Sequence, residues 1–357
     1  MITLRSTLPS QVDSIFVSNG DVYVTGRAGG QALIWKNGEC LYHLNESCRT
    51  KGWPVFASDA DVDGFYSEEK CRAWATSVFV SGKDVYAAGI EDISQENWAA
   101  TLWKNGEVLH RLNNGELDAH NLTVFASHGK IRVVGLVNED KLPPAAILWE
   151  NGKESRRYTL EEQELEEPES AFASSVFALD DDVYLSGFDC YYAGEVALVW
   201  KNGELLHRFT CKAGTAEISS IAVSDGDLYS VGFELKGGRS TAVVWKNGDV
   251  LYRIPSKLYH SRAETVYILD KDVYVTGFVG RDPLKGTAMV WKNGEAIYSL
   301  TDGNSYVGTG SILVSGSNVY VSGYETFDKG SDSIGRLWKN GENIELSCCD
   351  ILTYPHY

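Results

Sequence analysis

The phrase Trp-Lys-Asn-Gly, once varied to Trp-Glu-Asn-Gly, recurs on Trp35, Trp103, Trp149, Trp200, Trp245, Trp291 and Trp338. A fixed internal period means a stack or ring of like units, because one such unit cannot bury its own apolar face without a neighbour. Two further columns keep the same register. Gly26, Gly89, Gly135, Gly187, Gly232, Gly277 and Gly323 each close a phrase such as "DVYVTG". Twelve residues before each glycine stands a hydroxyl: Ser14, Ser77, Thr123, Ser175, Ser220, Thr265 and Ser311.

Within a unit, "SVFVS" and "DVYAAG" alternate large apolar with small or polar residues, the period-two signature of strands, and a short turn joins them. In "ATLWKNGEVLHRL" the Asn-Gly pair supplies the two positive-φ positions of a type I′ hairpin turn between a third and a fourth strand. Four antiparallel strands in about 45 residues make a β-propeller blade. The chain is therefore expected to be all-β, a single seven-bladed propeller over residues 1–357. Its blades should cover about 10–44, 73–112, 119–158, 171–209, 216–254, 261–300 and 307–346, with an insertion at 45–72. The recurrent tryptophan should fill the widening gap between neighbouring blades. Both flanking segments are candidates for an extra strand, and which of them completes the ring is open.

The order of signals resembles the kelch type of blade, although one glycine stands where kelch has two and "WKNG" replaces the third-strand phrase. A nearer resemblance is to bacterial proteins built from tandem "VYVAG…A…WKNG" repeats, a group that implies a secreted or surface-associated protein. The resemblance covers about residues 10–346 and carries architecture, not chemistry.

Acidic residues outnumber basic ones by 49 to 32, a formal charge of −17 that repels phosphate backbones, and no Lys/Arg cluster offsets it. Nucleic acid is excluded as a partner. No apolar run reaches membrane-spanning length. The opening "MITLRSTLPS" lacks a signal's apolar core, so two expectations stand: a secreted, cell-surface or periplasmic chain after signal removal, or a cytoplasmic one. A monomer is expected. The seven cysteines form no CxxC pair. Cys48 and Cys71 bracket the insertion, and in an oxidising compartment their disulfide would contribute roughly 3 kcal/mol.

In this topology the strand 1–2 and 3–4 turns share one face and are short and uniform. The opposite face takes the long, dissimilar links such as "IEDISQENWAA" and "YETFDKGSDSIG". Irregular loops on a rigid scaffold place binding on that face. Trp53, Tyr66 and Trp74 lie in or beside the insertion, and Trp98 in the next loop. Such rings could stack on a sugar or grip a peptide, or could form a satellite core that pins the loop. Asp59-Ala-Asp61-Val-Asp63-Gly64 resembles the start of a calcium loop, but its twelfth position is Lys70 instead of Glu, and "VFASDADV" also matches the hairpin "VFALDDDV" at 176–183. Calcium is the one cofactor in view, and none is required.

Arg336 stands where the other repeats carry uncharged residues. It could clamp a carboxylate or pair with a loop acid such as Asp332. Asp92, Asp189, His120, His260, Glu325, Tyr259 and Tyr306 supply acid–base groups on the same face, yet none falls in a catalytic spacing. The expectation is a non-catalytic module that recognises a glycan or a peptide or protein, with a glycan hydrolase or lyase in the central funnel, or an interaction scaffold, as alternatives.

Overall fold

The computed structural model describes residues 10–28, 31–44, 73–94, 97–113, 115, 118–138, 145–159, 171–189, 196–210, 214–283, 285–327 and 333–347. Every sheet consists of four consecutive antiparallel strands. Blade 1 runs β1 (Ser10–Ser18), β2 (Asp21–Ala28), β3 (Gln31–Lys36) and β4 (Glu39–His43). The first strands of the other blades are β5 (Ala73–Ser81), β9 (Asp118–Ser127), β13 (Ala171–Leu179), β17 (Thr215–Ser224), β21 (His260–Leu269) and β25 (Tyr306–Ser315). Each first strand touches the next around a closed cycle, β25 returning to β1, which makes a seven-bladed propeller with these strands innermost. Among the described residues no helix is long and apolar enough to cross a membrane.

The seven repeat tryptophans are the wedges between blades, each at most 3 % exposed. Trp103 of blade 2 packs with Tyr23, Ile34 and Leu44 of blade 1. Trp149 meets Tyr86 and Leu102 of blade 2, and Trp35 meets Tyr320 and Leu337 of blade 7. The hydrophobic core is thus a set of seams, each shared by two sheets, and the last seam closes the ring.

Asn-Gly forms the predicted turn, with Asn37 at φ 52° and Gly38 at φ 87° and the same values within a few degrees in most blades. Two further tasks fall on this phrase. Asn37 Oδ1 accepts the Val22 amide at 2.8 Å while its Nδ2 donates to Asp21, so the 3–4 turn is clasped to the start of strand 2. Lys36 completes the clasp by pairing with Asp21 at 2.7 Å over the Tyr23 ring. Its ammonium holds the Asp21 carboxyl below the usual carboxylate range. The glycine also seats a ring from the preceding blade. A Cβ on Gly106 would lie 2.7 Å from Tyr42, and one on Gly248 2.7 Å from His207.

Blade 3 keeps the clasp with its charges reversed. Lys130 replaces the aspartate and pairs with Glu150 at 2.6 Å, and Arg132 replaces the tyrosine and bridges Glu150 to Asp181 of blade 4. The one departure from the repeat phrase, Glu150, is therefore matched by its partners.

Among the described residues no strand is shared between the two ends of the ring. The Ser10 amide donates to the Ser333 carbonyl at 2.7 Å, and the Gly335 amide to Ser10 Oγ at 2.8 Å. On the outer side the Ser347 amide donates to the Gly38 carbonyl, and Trp35 Nε1 to the Ser347 carbonyl at 2.9 Å. Cys40, beside this contact, is disulfide-bonded. The pair singled out from sequence, Cys48 and Cys71, lies outside the described residues.

Candidate functional site

Opposite each column glycine the first strand carries a β-bulge. The register skips a residue at Asp13, Thr76, Ser174, Ser219, Glu264 and Gly310, and in blade 3 it skips Asn121 and Leu122. The glycine is needed because the bulged backbone lies directly over it: a Cβ on Gly26 would sit 2.0 Å from the Gln11 carbonyl oxygen, and one on Gly277 1.9 Å from that of Arg262. Bulges re-aim side chains, and here they aim them at the next blade around the mouth of the central funnel, on the variable-loop face.

The result is a belt. Thr76 Oγ1 donates to the Leu122 carbonyl at 2.7 Å, Asn121 Nδ2 to that of Ser174 at 2.9 Å, and Ser174 Oγ to that of Ile218 at 2.9 Å. The hydroxyl column joins in, with Ser14 Oγ accepting the Val78 amide and Ser77 Oγ the Val124 amide. These hydroxyls satisfy backbone groups of the neighbouring blade.

Two members of the belt are acids where a neutral hydroxyl suffices elsewhere. Asp13 Oδ2 accepts the Trp74 indole N–H at 2.7 Å, and its Oδ1 accepts from Gln11 Nε2 at 2.9 Å. Burial pushes the Asp13 carboxyl up to about 6, against the lowering effects of the indole, of Arg27 and of Gln11. Glu264 Oε2 accepts both the amide and the hydroxyl of Thr309, at 2.7 and 2.6 Å, and burial raises its pKa as well. Blade 7 lies between the two acids and carries glycine on both sides of Thr309. A Cβ on Gly310 would meet the Asp13 carbonyl oxygen at 2.9 Å, so β1 and β25 approach closely there. Over Gly308 lies the Tyr324 ring, its ionisation disfavoured first by burial and then by the charges of Glu264 and Asp13.

Arginines complete the mouth. Arg27, paired across strands with Gln11, stacks on Trp74 with its guanidinium 4.4 Å from the ring centroid. Arg262 lies 4.2 Å over Phe233 of blade 5. In the same column of the first strands stand Trp74, His120 and Glu217.

Of the aromatic candidates from sequence, Trp74 belongs to this mouth, whereas Trp98 lies on the third strand of blade 2 opposite Asp92 and makes no ring contact with Trp74. Trp53, Tyr66, Asp59, Asp61 and Asp63 lie outside the described residues. Arg336 is held by Glu325, with Nε donating to Oε2 at 2.7 Å, and Ser305 donates to the other carboxylate oxygen. Its partner is thus a diagonal cross-strand acid on the adjacent strand. His260 Nδ1 meets Ser240 Oγ at 3.1 Å, Tyr259 stacks under Arg239, and Tyr306 lies under Lys285.

Sequence reasoning missed Asp13, Glu264, Arg27, Arg262 and Tyr324. The signal was the column just before the hydroxyls, which reads Asp13, Thr76, Leu122, Ser174, Ser219, Glu264, Gly310 and holds two acids among neutral residues.

The chain shares its fold with a solved β-propeller. The β-propeller domain of the Trilobed protease from Pyrococcus furiosus, described as having an open velcro topology, matches with a TM-score of 0.52 at 12% identity, over 96% of this chain and 99% of that one. Drosophila Semaphorin 2a matches with a TM-score of 0.48 at 10% identity, over 96% of this chain and 76% of that one. At 12% identity the likeness to the protease domain is one of fold alone. No family model and no curated protein matches the chain.

Asp13 also makes a testable statement about stability. Its folded pKa lies above the ordinary carboxylate value of 3.8, so the native state holds a proton the unfolded chain releases. Stability is then fully present below pH 3.8 and declines as pH rises to about 6. Asp13→Asn, which keeps an acceptor for Trp74, should stabilise the protein at pH 7 by on the order of 2 kcal/mol, a value below the full linkage figure because part of Asp13 faces water. At pH 4 the gain should nearly vanish. Urea unfolding at both pH values checks this, and a gain independent of pH would remove the shift from the description.

Proposed function

We propose that the chain is a non-catalytic binding module that holds a glycan at the mouth of the central funnel on the variable-loop face. The reading is carried by one observation: the belt position, served by neutral hydroxyls in blades 2 and 4, holds partly water-facing acids in blades 1 and 6, beside stacked Arg27 and Trp74. Partly desolvated acids reduce stability where a threonine would satisfy the same position, and that cost supports a recognition role for the site. An aromatic ring fixed by its N–H, next to acceptors and guanidinium donors, matches the alternating apolar faces and hydroxyl edges of a sugar. A peptide fits less well at the belt, where side chains of one blade already bond backbone groups of the next.

The Cys40 disulfide supports a secreted or cell-surface location, and with it membership among the tandem "WKNG" repeat proteins. The test is isothermal titration against a panel of neutral and acidic oligosaccharides. Trp74→Ala should weaken binding at least tenfold, whereas Trp98→Ala should change it less than twofold; equal effects would move the site to the outer loops. A second reading, glycan hydrolysis, is favoured by the raised pKa values of Asp13 and Glu264. It requires reducing-end release that both Asp13→Asn and Glu264→Gln abolish, and bound but intact oligosaccharide counts against it.

A further inference from the structure

Among the described residues, Arg111, Arg132, Arg157, Arg253 and Arg336 each hold a carboxylate within 3.2 Å. Arg262 has an Nε that is shielded from solvent and has no hydrogen-bond partner, and its guanidinium carbon lies 4.2 Å from the Phe233 ring centroid. A buried donor left unmade is costly, and the planar guanidinium fork carries parallel N–H groups that match a carboxylate's two oxygens. The acid nearest in sequence, Glu264, bonds Thr309 of blade 7 and makes no salt bridge with Arg262, whose charge nonetheless favours its ionised form. On the other side of blade 7, Arg27 gives only a long contact of 3.4 Å to Gln11 and stacks on Trp74.

We infer that the glycan's anchoring group is a carboxylate, seated on the donor fork of Arg262 with the Arg27 guanidinium as a second cation across the funnel mouth. The ligand class is therefore a uronic-acid-type or otherwise carboxylated sugar, an inference that rests on the glycan reading above. A planar carboxylate suits the fork better than a tetrahedral sulfate ester, and the ring of Trp74 supplies the apolar face that free small acids lack.

The experiment is calorimetric titration of the full chain with uronate trisaccharides, their neutral counterparts and sulfated counterparts. The uronates should bind at least tenfold tighter than neutral or sulfated sugars. Arg262→Met should erase that preference with the thermal melt retained, and Arg262→Lys should restore only part of it, because an ammonium lacks the fork. Equal affinity for neutral and uronate sugars, a preference for sulfated ones, or a uronate preference that survives Arg262→Met would overturn the carboxylate assignment and leave the glycan reading standing. Should no sugar bind while an oligoglutamate peptide binds through Arg262, the glycan reading fails and this inference with it.

Discussion

Gly277→Ala should destabilise the protein by about 3 kcal/mol or more, because its new Cβ would lie 1.9 Å from the carbonyl oxygen of Arg262. No rotamer relieves a clash with backbone, so the bulge itself must move, and with it Arg262 and Glu264. The same substitution should therefore weaken ligand binding beyond what the loss of folded protein explains. Gly226→Ala is the control. Its φ is +81° and nothing lies within 4 Å of the added carbon, so only backbone strain of about 1 kcal/mol remains. Urea unfolding of both variants checks the pair, and equal losses would mean that the glycine column serves backbone flexibility instead of the close approach of the bulge.

Trp103→Ala should cost about 3–5 kcal/mol, the range for removing a large buried ring whose neighbours cannot collapse into the space. Trp103 is fully buried between two sheets, and its removal opens the seam from both sides. Because each seam belongs to two blades, the loss should appear as a lowered midpoint of one cooperative transition. A variant that unfolds in two separate steps, with blade 1 released first, would show that the blades hold together less tightly than shared cores require.

Much of this was legible in the sequence because the same physics repeats in every blade. Asn37 and its counterparts announce a positive-φ turn, Trp35 and its counterparts a seam, and the columns keep strict register. The reciprocal clasp was less visible. Its parts, Asp21 and Lys36, are ordinary surface charges whose pairing becomes evident only once strands 2 and 3 lie side by side, and Lys130 with Glu150 confirms the rule by reversing it.

The site was hidden for a different reason. Period-two reading assumes one residue per step, and a bulge adds one, so the faces of β1 and β21 exchange at Asp13 and Glu264. Residues before the bulge then point where the pattern does not place them. Arg336 is a different case: its oddity in the column was plain and suggested a ligand clamp or a loop-acid pair, but the acid that holds it, Glu325, sits two residues along the neighbouring strand.

The most direct test follows the tryptophan indole N–H signals by two-dimensional NMR during titration with the tightest-binding oligosaccharide from the panel. The funnel reading requires the Trp74 signal to shift, since its N–H is tied to Asp13 at the mouth, while the seven seam tryptophans stay fixed. A silent Trp74, or shifts confined to Trp98, would contradict it.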